Sequence, residues 1–160
     1  MSSDLTHFDE KGNALMVDVS AKDKTDRVAI AKGSVIMKPE TLAMIENRAI
    51  KKGDVLTIAQ LAGIMGAKRT PDLIPLCHPL DLSSVKVELT CDPEKSAVEI
   101  TSTCKLTGRT GVEMEALTGV SIAALTVYDM CKSIDRSIRL TNIYLVKKSG
   151  GNSGTYETKL

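Results

Sequence analysis

The sequence predicts an α+β fold of the ferredoxin-like type. This is a split β-α-β-β-α-β unit with an extra helix, in which helices cover one face of a four-stranded antiparallel sheet. Three features carry that prediction. Residues 84–91 (SVKVELTC) and 97–106 (AVEITSTCKL) alternate apolar and polar side chains on either side of Asp92-Pro93-Glu94-Lys95, the pattern of an antiparallel hairpin. Residues 112–133 (VEMEALTGVSIAALTVYDMCKS) read as one long helix, apolar around most of its circumference and therefore covered by more than one layer. The full order is strand, helix, helix, strand, strand, helix, strand, which reduces to the split unit when one helix is set aside.

Each element has a local cause. Residues 1–26 are polar and irregular, with MVDVS at 16–20 as the only apolar island. Small and β-branched residues make 27–37 (RVAIAKGSVIM) a strand. Pro39 opens a helix whose Leu42, Ile45 and Ala49 share a face, and Lys51-Lys52-Gly53 is expected to end it. Asp54 is the N-cap of a second helix, along which Val55, Ile58, Leu61, Ala62 and Met65 recur at helical spacing. Pro71, Pro75 and Pro79 forbid a long helix or central strand over 68–80, so this apolar stretch is expected to be an ordered, buried connection. Gly108-Arg109-Thr110-Gly111 closes the hairpin before the long helix, 138–147 forms the last strand, and 148–160 is a flexible tail. The length suits one domain, 1–160.

Composition narrows the function classes. Lys plus Arg total 21 against 20 for Asp plus Glu, so nothing demands a nucleic-acid partner. With no Trp, one Phe and three Tyr, and none of them in the hairpin strands, the stacking platforms of an RNA-binding sheet are missing. No apolar run approaches the roughly 20 residues that cross a bilayer, and the polar, acidic start MSSDLTHFDEKG is not that of a targeting peptide. The expectation is a cytoplasmic protein without membrane contact. Cys77, Cys91, Cys104 and Cys131 include no C-x-x-C pair, which argues against structural zinc. A symmetric hairpin places Cys104 opposite Val85, not Cys91, so all four read as reduced thiols.

Four features are candidates for chemistry. His78 sits in the proline-framed Leu76-Cys77-His78-Pro79. Gly108-Arg109-Thr110-Gly111 runs into Glu113 and Glu115 at a helix start, a place that suits a polar or anionic group and equally suits dipole-favoured glutamates. Asp129 and Lys132, three apart on one helix, face the same way in an apolar context that predicts partial burial and a lysine that gives up its proton more easily. Basic pairs at Lys51-Lys52, Lys68-Arg69 and Lys147-Lys148 would suit several phosphates if they converged.

The strings MVDVS (16–20), KGDV (52–55), AKRT (67–70), LIPLCHPL (73–80), GRTGVEMEALTGVS (108–121), YDMCK (128–132) and KSGG (148–151) occur in that order. Together they resemble the molybdenum-cofactor biosynthesis protein C family, the cyclic pyranopterin monophosphate synthases. The resemblance covers about residues 5–157. It implies a lyase that converts 3′,8-cyclo-7,8-dihydro-GTP, made by a partner radical enzyme, to cyclic pyranopterin monophosphate with loss of pyrophosphate. It also implies a homohexamer, a trimer of dimers with active sites at subunit interfaces. Asp129, Lys132, Lys52 and His78 would be the catalytic groups, with Lys52 expected from a neighbouring subunit. Leu76, Cys77, His78, Glu113, Met114 and Glu115 would contact the substrate, and Arg27, Lys68, Arg69 and Lys148 its phosphates. No redox cofactor and no resident metal are expected, although magnesium can accompany the triphosphate.

Overall fold

A computed structural model describes residues 7–159; residues 1–6 of the expected irregular start and Leu160 of the tail lie outside them. The elements are β1 (Thr25–Ile36), α1 (Pro39–Glu46), α2 (Val55–Lys68), α3 (Thr70–Leu73), β2 (Ser84–Asp92), β3 (Ala97–Gly108), α4 (Glu113–Cys131), β4 (Arg139–Ser149) and β5 (Tyr156–Glu157). All strand pairs are antiparallel, in the order β2-β3-β1-β4-β5. The first four strands have the ferredoxin-like order. Asp54 caps α2 as expected, its carboxylate accepting from the Thr57 N–H at 3.1 Å. The hairpin register is also the expected one, with Val85 opposite Cys104 and Cys91 opposite Val98, and all four thiols are free.

The core lies between the sheet and the pair α2 and α4. Val35, Val87, Val98 and Ile100 from the sheet are buried with Val120, Ala123 and Val127 of α4. The two helices run antiparallel and touch through small residues. A Cβ added to Gly63 would stand 2.9 Å from the Gly119 carbonyl oxygen, so the backbones meet nearly directly.

That close approach overturns most of the expected stripe on α2, of which Val55 alone is fully buried. Val55, Ala59, Gly63, Gly66 and Ala67 are its buried residues, whereas Ile58, Leu61 and Met65 are 41%, 57% and 48% exposed. Helical spacing identifies an apolar face, but here the smallest side chains win the contact with α4 and the larger ones form a second, outward apolar face. α1 also ends sooner than Lys51-Lys52-Gly53. Arg48 adopts φ +53°, its N–H bonds to Ile45 O at 3.1 Å, and the Ala49 N–H bonds to Met44 O at 2.8 Å. This is a Schellman stop built on an arginine, and it leaves Ala49 exposed while Ile50 is buried.

The 68–80 connection contains the single turn α3, and Leu76, Cys77 and His78 are only half-buried, short of the burial expected. β4 continues through Ser149, and Tyr156–Glu157 return to pair with Lys148 and Lys147, so the tail expected to be flexible is in part a fifth strand. Asp135, in the turn after α4, is 1% exposed. Its carboxylate accepts from the Lys38 N–H (2.9 Å), Thr41 Oγ1 (3.1 Å), and the N–H and Oγ of Ser137 (2.9 and 2.6 Å). Burial pushes its pKa up, but these bonds outweigh burial and hold it at about 2.

Candidate active site

The expected site residues fall at the two ends of α4. At the C-terminal end stand Asp129 and Lys132. Because α2 is antiparallel to α4, the turn before α2 arrives beside them and brings Lys52. Lys132 Nζ donates to Asp129 Oδ1 at 2.7 Å. Lys52 Nζ donates to the Asp129 carbonyl oxygen at 2.8 Å and lies 3.5 Å from Oδ2. A cation on a last-turn carbonyl also complements the helix dipole.

The trio therefore forms within one chain, and the expectation that Lys52 comes from a neighbouring subunit is corrected. So is the expected burial, since Lys52, Asp129 and Lys132 are 47%, 59% and 52% exposed at their side chains. Apolar flanks in sequence do not bury a residue that points outward from the last helical turn. The expected drop in lysine proton affinity is reversed for Lys132: the Asp129 hydrogen bond, with its charge, pushes the Lys132 pKa up. The hydrogen bond and charge of Lys132, then the charge of Lys52, hold the Asp129 carboxyl below its ordinary range.

At the N-terminal end, the first turn of α4 and the Leu76–Leu80 loop enclose a recess of about 350 Å³ lined by Cys77, His78, Met114 and Glu115, among others. His78 Nε2 is 2.7 Å from the Val17 carbonyl oxygen. A carbonyl can only accept, so Nε2 carries a proton, and in the neutral ring Nδ1 is then the acceptor. Glu115 is 3% exposed. Burial, with the charge of Glu113 added, pushes its carboxyl pKa up. Burial, with the charge of Glu115 added, likewise raises the Cys77 thiol, which disfavours a thiolate nucleophile.

A polar recess of about 200 Å³ adjoins the first and shares Lys22, Thr110, Gly111 and Glu113 with it. Its cationic lining is Lys22, Arg27, Arg109 and Lys148, and Lys148 Nζ pairs with Glu113 Oε1 at 2.8 Å. Arg27, expected at the phosphates, is 8% exposed and builds the wall. Its guanidinium donates to the carbonyls of Gly108 (3.3 Å), Gly150 (3.1 Å) and Arg109 (3.2 Å). Gly150 and Gly151, at φ +104° and +73°, wrap around it where any side chain would strike Asp26 or Arg27. Lys68 and Arg69 are exposed at the end of α2 and line neither recess.

Lys22 and Arg109 were not among the expected site residues. Arg109 stands inside the GRTG string, but nothing in periodicity or charge separates Lys22 from Lys11 or Lys24. Among the described residues, no group of three or more His, Cys, Asp or Glu side chains is placed to hold a metal ion. Glu113 and Asp129 are sixteen residues apart on α4, about 24 Å along the axis, so one small molecule cannot engage both ends of the same chain.

The arrangement as a whole offers proton donors and acceptors at one end and a cationic, polar cleft at the other. Three relatives share most of the chain, and all are cyclic pyranopterin monophosphate synthases. That of Rhodospirillum rubrum is 68% identical over 152 residues, covering 95% of this chain and 92% of its own. That of Dinoroseobacter shibae is 61% identical over 157 residues, 98% and 99% of the two chains. That of Heliobacterium modesticaldum is 59% identical over 152 residues, 95% and 96%. The MoaC family profile matches residues 16–151, a span that takes in both ends of α4 and every expected site residue; the chain belongs to the MoaC family.

Proposed function

We propose that this chain is a cyclic pyranopterin monophosphate synthase, a lyase of molybdenum cofactor biosynthesis. It converts 3′,8-cyclo-7,8-dihydro-GTP to cyclic pyranopterin monophosphate and releases pyrophosphate. The observation that carries the reading is the pairing of chemistries on the family's own motifs: the Lys52–Asp129–Lys132 trio at one end of α4 and the cationic recess at the other. Opening a purine-derived ring and closing a pyranopterin needs several proton transfers. The trio supplies two ammonium donors positioned by one carboxylate, and His78 Nδ1 supplies an acceptor. Burial and the charge of Glu113 make Glu115 hold its proton more tightly than a free carboxyl, and it lines the recess where the substrate would lie. Loss of pyrophosphate builds negative charge on the leaving group, which Lys148, Lys22 and Arg109 stabilise, with magnesium accompanying the triphosphate.

Because the two ends lie about 24 Å apart, a complete site takes the trio from one subunit and the recess from another. A two-fold axis across the helical layer would run the partner's α4 antiparallel and bring unlike ends together. The outward face of Ile58, Leu61 and Met65 on α2 supplies apolar surface for such packing. The assembly is a homohexamer, a trimer of dimers, and it works in the cytoplasm. Separately, no helix among the described residues is long and apolar enough to cross a membrane. The deciding experiment is incubation of the chain with the partner radical enzyme's product. Pyrophosphate and the cyclic monophosphate should appear together, and the absence of both refutes the reading.

A further inference from the structure

We infer that His7 contacts the substrate, carried to the recess at the N-terminal end of α4 by residues 7–22, which cross it as a strap. The inference rests on the reading of that recess as the nucleotide-binding half of the site. The chain has two histidines, and both line this recess. The strap is tied down by polar bonds from the site's own loops: His78 Nε2 donates to Val17 O at 2.7 Å, and Arg109 Nε donates to Lys22 O at 3.0 Å. Lys22 lines both recesses.

His7 itself stands at the foot of a compact hairpin. The Asp9 carboxylate accepts from the N–H groups of Lys11 (2.9 Å) and Asn13 (2.8 Å) and from Asn13 Nδ2 (2.8 Å). Gly12 turns the chain at φ +81°, and the Leu15 N–H closes back on His7 O at 2.9 Å. Hydrophobic burial is not what lays this segment over the recess, because Phe8, Leu15 and Met16 are 51%, 38% and 47% exposed. The fold thus fixes the His7 backbone by polar contacts while leaving its ring exposed at the recess. An imidazole there offers an N–H to a phosphate oxygen or to a heteroatom of the purine-derived rings.

Two imidazoles in one chain make a clean spectroscopic test. GTP titrated into the full-length protein should move the ring signals of His7 and His78 along one saturation curve, with the His7 signal assigned from H7N. In turnover, H7A should raise KM about ten-fold, the scale of one hydrogen bond to a charged group, with kcat little changed. H7N, which keeps a donor, should recover part of the loss. The inference is overturned if His78 moves while His7 does not, if neither ring moves, or if H7A keeps the wild-type KM. A wild-type protein that binds GTP through both rings yet releases no pyrophosphate from the substrate would instead overturn the proposed function and leave the His7 contact standing.

Discussion

Mixing two inactive variants distinguishes a shared site from a single-chain one. Lys132→Ala disables the trio at the C-terminal end of α4, and His78→Ala disables the recess at its N-terminal end. Loss of a general acid or base typically costs about 10²–10⁴-fold in rate, so each variant alone should be nearly silent. If every site joins one chain's trio to another chain's recess, random subunit exchange leaves each half intact with probability one half. About one quarter of sites are then whole, and activity should return to about one quarter of wild type. Lys52→Ala mixed with Lys132→Ala should restore nothing, because the two lysines meet the same Asp129 in one chain and every hybrid site inherits one defect. The assay is pyrophosphate release after co-refolding or co-expression, with oligomer size checked by light scattering. Recovery in the lysine–lysine mixture, or none in the lysine–histidine mixture of exchanged, folded subunits, refutes the placement derived from the length of α4.

Asp135→Asn should destabilise the fold at neutral pH. The native carboxyl is held at about 2 against an ordinary 3.8, a difference worth about 2 kcal/mol. A depressed pKa contributes stability above the unfolded value and loses it as pH falls, so urea midpoints of wild type and variant should converge between about pH 4 and 2; parallel midpoints across that window would contradict it. Gly63→Ala should cost about 1–3 kcal/mol in thermal or urea unfolding, because its Cβ would press on the Gly119 carbonyl oxygen; an unchanged midpoint would mean that α2 is not packed on α4 as described. Cys77→Ser should keep measurable turnover, since burial and Glu115 disfavour its thiolate. Complete inactivity of a folded Cys77→Ser protein would show that the sulfur itself reacts.

The parts of the fold legible in the sequence were those set by local rules. The hairpin register followed from alternation about a proline turn, and the α2 start from an aspartate before an apolar run. Where competing faces decided the outcome, the sequence misled. Ile58, Leu61 and Met65 satisfy helical spacing, but the glycines and alanines on the opposite side of α2 allow a closer approach to α4. Arg48 gave no warning that it would take the left-handed position of a helix stop, a place usually given to glycine or asparagine. The site residues were visible as motifs, while their grouping was not. Spacing puts Asp129 beside Lys132, yet only the antiparallel pairing of α2 and α4 brings Lys52 to them and leaves His78 and Glu113 at the far end. Arg27 shows the same limit: as a residue type it suits phosphate, and only the fold shows that its guanidinium also donates to three carbonyls while it lines the polar recess.

The exposure of the trio is what would make the proposed assembly chemically meaningful. In a lone subunit Asp129 raises the proton affinity of Lys132, the wrong direction for a group proposed to release one. Covering the half-exposed Lys132 with a partner's recess, as proposed above, would remove water from its ammonium group, and desolvation lowers a buried lysine's proton affinity. The carboxylate opposes that fall and keeps the two ammonium groups in place while it happens. On this reading, docking two unlike ends of α4 does more than complete a list of residues. It would desolvate the Asp129–Lys132 pair and so work against the rise in Lys132 proton affinity that the exposed pair shows. Substitutions at the outward apolar face, such as Leu61→Asp, should then abolish turnover without touching any residue of the trio or the recess.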